Sequence, residues 1–251
     1  MRRRCVGVSL KMYFDLRRAE SYFAELAGLL QSEFGAVDSP VQNFIVPSYL
    51  HIPAAVSAFA HAPMEVGIQD SSEFQSGAYT GEVSPLHAAE MGVGLTELGH
   101  AERRRLFGEN DATINAKVLA AMKSGLTPLI CVGETDRLDP NRAADFTIEQ
   151  VESVTLGAPA GPLIIAYEPV WAIGADRPAS VDHIARICGS LQSWIDSRPE
   201  REGSSVIYGG SAGPGLFSKL DGTVDGLFLG RFAHEPRNFI KVVQEVASVA
   251  C

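Results

Sequence analysis

Cysteine is scarce and scattered. The chain holds four, Cys5, Cys131, Cys188 and Cys251, and no two form a C-x-x-C pair. Such spacing argues against a disulfide framework or a thiolate zinc site. It suits a reducing compartment, so a cytoplasmic location is expected. Long apolar runs are missing too, so no membrane span and no membrane partner are expected. The start, Met1-Arg2-Arg3-Arg4, has the charge of a signal-peptide n-region. Lys11 breaks the apolar stretch behind it and no small-residue cleavage site follows, so the segment reads as a first strand. Positive charge is in deficit: 21 Lys and Arg against 30 Asp and Glu leave a formal net charge of -9. An acidic chain is a poor nucleic-acid binder, and any pocket for an anion must be locally positive against that field. No linker, charge block or low-complexity tract divides the chain, and one domain over residues 1–251 is expected.

What is present is ordinary globular material, 46% hydrophobic and 20% charged, enough for a sizeable core. Short apolar runs recur at Cys5–Leu10, Gln42–Val46, Met64–Gln69, Val93–Leu98, Leu126–Val132, Pro162–Tyr167, Ser205–Tyr208 and Gly226–Leu229. They are nearly continuous rather than alternating, the pattern of strands covered on both faces. Amphipathic segments lie between them, clearest at Asp15–Phe34, Asp111–Ser124, Val181–Ser197 and Glu235–Val249. Leu16, Tyr22, Phe23, Leu26, Leu29 and Leu30 fall on one stripe of the first. Eight strand-plus-helix units in this length match a closed (β/α)8 barrel of the α/β class, with an open doubly wound sheet as the competing architecture.

In such barrels function gathers at the C-terminal ends of the strands. Lys11 follows the first strand; alone it reads as a solvated loop lysine, but its place aims it at the barrel mouth. His100 and Glu102 follow the fourth, in Gly99-His100-Ala101-Glu102-Arg103-Arg104. An ordinary helix start explains the acid and the arginines; it does not explain the histidine. Glu168 closes the sixth strand, where a carboxylate is costly unless paired or useful. Behind it Pro169, Gly174 and Pro178 bracket a loop suited to hinged motion. Gly209-Gly210-Ser211 and Gly230-Arg231 follow the seventh and eighth strands, where glycine amides converge on phosphate in these barrels. No metal-ligand cluster accompanies the set, nor a Ser or Cys nucleophile with a paired base, and no cofactor is expected. One lysine, one histidine, one carboxylate and an anion cradle suit proton transfer beside a carbonyl.

At these residues the chain resembles the triosephosphate isomerase family. The resemblance spans nearly the whole sequence: Leu10-Lys11-Met12, Gly77-Ala78-Tyr79-Thr80-Gly81-Glu82, Gly99–Arg104, Cys131-Val132-Gly133-Glu134, Tyr167–Gly174, Tyr208–Ser211 and Asp225–Gly230. It implies that Glu168 is the base and that His100, as neutral imidazole, polarises the carbonyl. Lys11 would balance substrate charge, with Glu102 as its neighbour. The N–H groups of Gly174, Ser211, Gly230 and Arg231 would hold the phosphate of a small phosphorylated sugar. It also implies a homodimer through the loop 70–82. The chain departs from the family pattern at Ser9 and Leu10, where the family has Asn and Trp. It departs again at Ala101 for Ser, at Arg231 for a second Gly, and in the lid segment Ala175-Asp176-Arg177-Pro178-Ala179. Ser9 leaves room for one added CH2OH beside the Ser9-Leu10-Lys11-Met12-Tyr13 start. That start resembles the L-erythrulose-1-phosphate isomerase branch, which implies conversion of L-erythrulose 1-phosphate to D-erythrulose 4-phosphate. Triosephosphate isomerisation, a barrel that binds sugar phosphates without turnover, and an aldolase using Lys11 as a Schiff-base amine are the alternatives.

Overall fold

A computed structural model describes residues 3–35, 39–175 and 177–249. Cys251 and Asp176, singled out above, lie outside the described residues. Eight parallel strands alternate with helices: β1 (Cys5–Ser9), α1 (Leu16–Phe34), β2 (Gln42–Val46), α2 (Ile52–Phe59), β3 (Glu65–Ile68), α3 (Pro85–Glu90), β4 (Leu95–Leu98), α4 (Ala101–Phe107), α5 (Asp111–Lys123), β5 (Thr127–Val132), α6 (Pro140–Val154), β6 (Ile164–Tyr167), α7 (Val181–Asp196), β7 (Ser205–Tyr208), α8 (Leu216–Leu220), β8 (Gly226–Leu229) and α9 (Pro236–Ser248). The strands pair in sequence order, and β8 returns to β1 with Gly7 opposite Phe228, so the sheet is a closed barrel. That closure eliminates the open doubly wound sheet.

The apolar runs locate the strands, with the ends trimmed for physical reasons. Pro162 has no N–H to give a ladder, and the Leu163 N–H goes to Ser204 Oγ at 2.9 Å, so β6 begins at Ile164. β1 stops at Ser9 because Lys11 turns to a φ of 48°. Leu16 is a correction: it is 54% exposed, since it is the first residue of α1 and precedes the turn that docks on the barrel. The buried stripe is Ala19, Tyr22, Phe23, Leu26, Ala27 and Leu30, with Leu29 packed beside it. Side-chain caps fix where the helices start: Asp15 Oδ1 accepts from the Arg18 N–H at 2.8 Å and Asn110 Oδ1 from the Thr113 N–H at 2.9 Å, each satisfying a donor that the first turn leaves open.

Two apolar layers result. The larger fills the space between strands and helices. The smaller, inside the barrel, consists of Cys5, Phe44, Val46, Leu95, Leu129, Cys131, Ile164, Ala166, Ile207 and Phe228. Gly7 makes this filling possible: a Cβ there would stand 2.0 Å from the Phe44 ring. The barrel is thus plugged, and chemistry is confined to its mouth. Among the described residues no helix is long and apolar enough to cross a membrane, and no group of three or more His, Cys, Asp or Glu could hold a metal ion.

Candidate active site

A cavity of about 700 Å³ opens at the C-terminal ends of the strands. Ser9, Lys11, His100, Glu102, Glu168, Gly174, Ser211, Gly230 and Arg231 all line it. The structure therefore brings these nine candidate residues to one place, including Arg231, whose guanidinium lies near Gly174. Arg105 lines the cavity as well. Lys11, Arg105 and Arg231 supply the local positive charge that an acidic chain needs to hold an anion.

The carboxylate is held by strand geometry. The Glu168 N–H donates to Val132 O at 2.8 Å, which carries the β6 ladder one residue past its end. Glu168 is 6% exposed and its Oε2 has no hydrogen-bond partner. That oxygen lies 3.5 Å from His100 Nε2. Burial raises the Glu168 carboxyl above the ordinary value of 4.5, with His100, Lys11 and a hydrogen bond from the Cys131 thiol pulling the other way. A buried acceptor left open is costly, and a raised carboxyl is what a base working near neutral pH requires. Gly209 makes the room: a Cβ there would meet Glu168 Oε1 at 2.5 Å.

His100 caps α4. Its Nδ1 accepts the Glu102 N–H at 3.1 Å. An imidazole that accepts at Nδ1 carries no proton there, so the neutral ring bears its proton on Nε2, the nitrogen facing Glu168. Lys11 Nζ donates to Glu102 Oε1 at 2.6 Å. Burial alone would lower the lysine, but this bond and the charges of Glu102, Glu168 and Glu97 outweigh it and hold the ammonium above its ordinary value. Burial likewise pushes Glu102 up, and Lys11, His100 and Arg105 pull it below the usual carboxylate range. Among the described residues three non-glycine residues adopt positive φ, and two of them, Lys11 and Ser211, line this cavity; strain of this kind persists where surrounding structure over-determines it.

The loop over the site is latched at both ends. Trp171 Nε1 donates to buried Glu134 at 2.8 Å, and the Ala179 N–H donates to Tyr208 Oη at 3.1 Å. Ser211 Oγ lies 2.9 Å from the Ala172 carbonyl and 3.0 Å from that of Ala175. The hydroxyl of Ser211 is thereby engaged with the loop.

Sequence reasoning missed Arg105, which lines the cavity, and one buried group behind its wall. Glu97 lies inside the apolar run Val93–Leu98 and is 3% exposed. Ser9 Oγ donates to its Oε2 at 3.1 Å. Burial raises its carboxyl to about 7; His100, Lys11 and the Ser9 bond lower it, and Glu168 raises it. The available signal was a lone charge two residues after Leu95, on the face of β4 that fills the barrel.

An ammonium, an imidazole with its proton on Nε2 and a carboxylate with one unpartnered oxygen, gathered at the mouth of a closed parallel barrel, are chemically equipped for proton transfer on an anionic carbonyl compound. The family model described as triosephosphate isomerase matches residues 4–246, and the chain belongs to that family. It is 39% identical to an L-erythrulose-1-phosphate isomerase of Pectobacterium atrosepticum, over 99% of this chain and 98% of the relative. It is 37% identical to one of Rhizobium etli, over 97% and 92%. A triosephosphate isomerase of Azoarcus sp. is 36% identical, over 77% of this chain and 83% of the relative. The protein is an isomerase acting on phosphorylated sugars.

Proposed function

We propose that this isomerase interconverts L-erythrulose 1-phosphate and D-erythrulose 4-phosphate through an enediolate. Glu168 removes the proton from the carbon that bears the free CH2OH, which lies next to the carbonyl. His100 Nε2–H polarises the carbonyl oxygen and carries a proton between the two oxygens of the enediolate. Glu168 then returns its proton to the carbon next to the CH2–O–phosphate, so the carbonyl moves by one carbon and nothing is gained or lost. Lys11 offsets the negative charge of the substrate, and Glu102 keeps that ammonium charged. The N–H groups of Gly174, Ser211, Gly230 and Arg231 bind the phosphate. The observation that carries the reading is the buried Glu168 oxygen, unpartnered and 3.5 Å from His100 Nε2. The raised ammonium of Lys11 disfavours an amine nucleophile.

The tetrulose is preferred to the triose on two grounds. Ser9 is short, and its hydroxyl turns away to Glu97, which leaves space beside the reacting carbon. Two of the relatives matched over nearly their full length carry the tetrulose name. Purified protein should show a kcat/KM for L-erythrulose 1-phosphate at least about tenfold above that for dihydroxyacetone phosphate; one methylene-sized group in a pocket is worth about 10- to 200-fold. A preference for the triose rejects the substrate and leaves the chemistry standing.

We propose also that the working form is a homodimer built on the loop 70–82. Phe74 and Tyr79 stack in that loop with ring centroids 3.8 Å apart, and Tyr79 stays 42% exposed. Such an aromatic knob suits insertion into a partner. Light scattering should give twice the 26.9 kDa chain mass; a monomer at assay concentration refutes this arrangement.

A further inference from the structure

The proposed reaction leaves one buried carboxylate of the barrel interior without a role. Glu97 projects from β4 on the same side as Leu95, one pleat nearer the mouth. It does not line the cavity itself; Ser9 does, and Ser9 Oγ gives its proton to Glu97 Oε2 at 3.1 Å. A serine hydroxyl has one proton and two acceptor lone pairs. Once that proton is committed to an ionised carboxylate, Oγ can only accept from whatever fills the cavity. A carbonyl or enediolate oxygen finds no donor there, whereas a substrate hydroxyl finds an acceptor.

We infer that Glu97 is a specificity-setting positioning residue: by holding the Ser9 proton it makes the cavity floor an acceptor subsite, favouring a substrate that carries an additional hydroxyl. This rests on the tetrulose reading and deepens it by naming the partner of the added CH2OH. The polarity is reversible. Protonated Glu97 donates to Ser9 Oγ, and the Ser9 proton is then free to point into the cavity. The groups facing Glu97 are Ser9 and Lys11 from β1 and its loop, His100 after β4, Cys131 on β5 and Glu168 after β6. Burial, opposed by His100, brings its proton exchange to about 7. The preference for the tetrulose therefore weakens as pH falls through neutrality.

The test is the ratio of kcat/KM for L-erythrulose 1-phosphate to that for dihydroxyacetone phosphate, measured on both sides of neutral pH. The parent, Glu97→Gln, Ser9→Ala and the double variant are compared. Both substrates are assayed on the same preparation, so partial misfolding cancels in the ratio, and Ser9→Ala reads the same subsite without touching the buried acid. The expected ratio falls about tenfold in Ser9→Ala, the worth of one hydrogen bond, and loses its pH dependence in Glu97→Gln, whose amide oxygen still accepts from Ser9 but does not titrate. It falls no further in the double variant, because the two residues act as a unit, and its pH dependence disappears. An unchanged ratio with the pH dependence intact in Glu97→Gln overturns the inference. The tetrulose reading is judged separately, on which substrate the parent prefers, whereas this inference is judged on how substitution changes the ratio.

Discussion

Glu168→Gln lowers kcat by about 10³- to 10⁴-fold and at the same time raises the thermal midpoint of the protein. The loss follows from the role of the carboxylate. An amide has no basic oxygen for a carbon-bound proton, and removing a positioned general base costs about 10²- to 10⁴-fold. The upper part of that range is expected because both carbon-bound proton transfers pass through this one group. The gain in stability follows from the same burial. Glu168 is 6% exposed, one of its oxygens has no partner, and burial raises its carboxyl. A folded-state value above the unfolded one means that the folded protein binds more protons in the interval between them. Stability therefore falls as pH rises from the ordinary carboxylate value of 4.5 through the raised one. At neutral pH the parent bears that cost and a neutral glutamine does not. Calorimetry and steady-state kinetics on the same sample read both effects. Glu168→Asp separates charge from position: it keeps the charge but withdraws the carboxylate by one methylene, and a fall of about 10²-fold is expected. Parent-like turnover by Glu168→Gln would show that the base lies elsewhere.

Much of this site was legible before any coordinates. Lys11, His100 and Glu168 stand out because each breaks an apolar run where a parallel barrel exposes its strand ends. The paired glycines after β7 and β8 stand out for the same reason. Closure of the sheet was not legible, since runs buried on both faces read alike in an open sheet and a barrel; the β8–β1 pairing decides it. Leu16 was misassigned because helical spacing says which face a residue shares and not whether the first turn has yet reached the core. Glu97 was overlooked for a physical reason. β4 is four residues long, too short for alternation to reveal which positions enter the barrel. Its partner Ser9 is 88 residues away, a pairing that only the closed sheet creates. The polarity of Ser9, which decides what the cavity floor can bind, is a property of that long-range pair and of neither residue alone.

Lys11→Met costs about 10³-fold in kcat/KM and moves the acid limb of the pH profile upward. Three carboxylates, Glu97, Glu102 and Glu168, bear on the ammonium of Lys11. Without it the mouth is left with an excess of negative charge just where a phosphorylated substrate must enter and an enediolate must form. Loss of one fixed donor to a developing oxyanion costs about 10²- to 10³-fold, and weaker attraction of the substrate adds to that. The direction of the pH effect is set by the same charge. Lys11 holds Glu168 and Glu97 lower than burial alone would, so removing it raises both further, and a smaller fraction of the base is ionised at any given pH. The effect on folding is small, because the Lys11–Glu102 pair is 24% and 44% exposed and surface pairs contribute about 0–1 kcal/mol. Methionine is the appropriate replacement because it keeps the unbranched stem; glycine would also relax the positive φ of 48° and mix a backbone effect with the loss of charge. A pH–rate profile whose acid limb stays in place, with kcat/KM within about tenfold of the parent, would place the balancing charge on Arg105 or Arg231 instead.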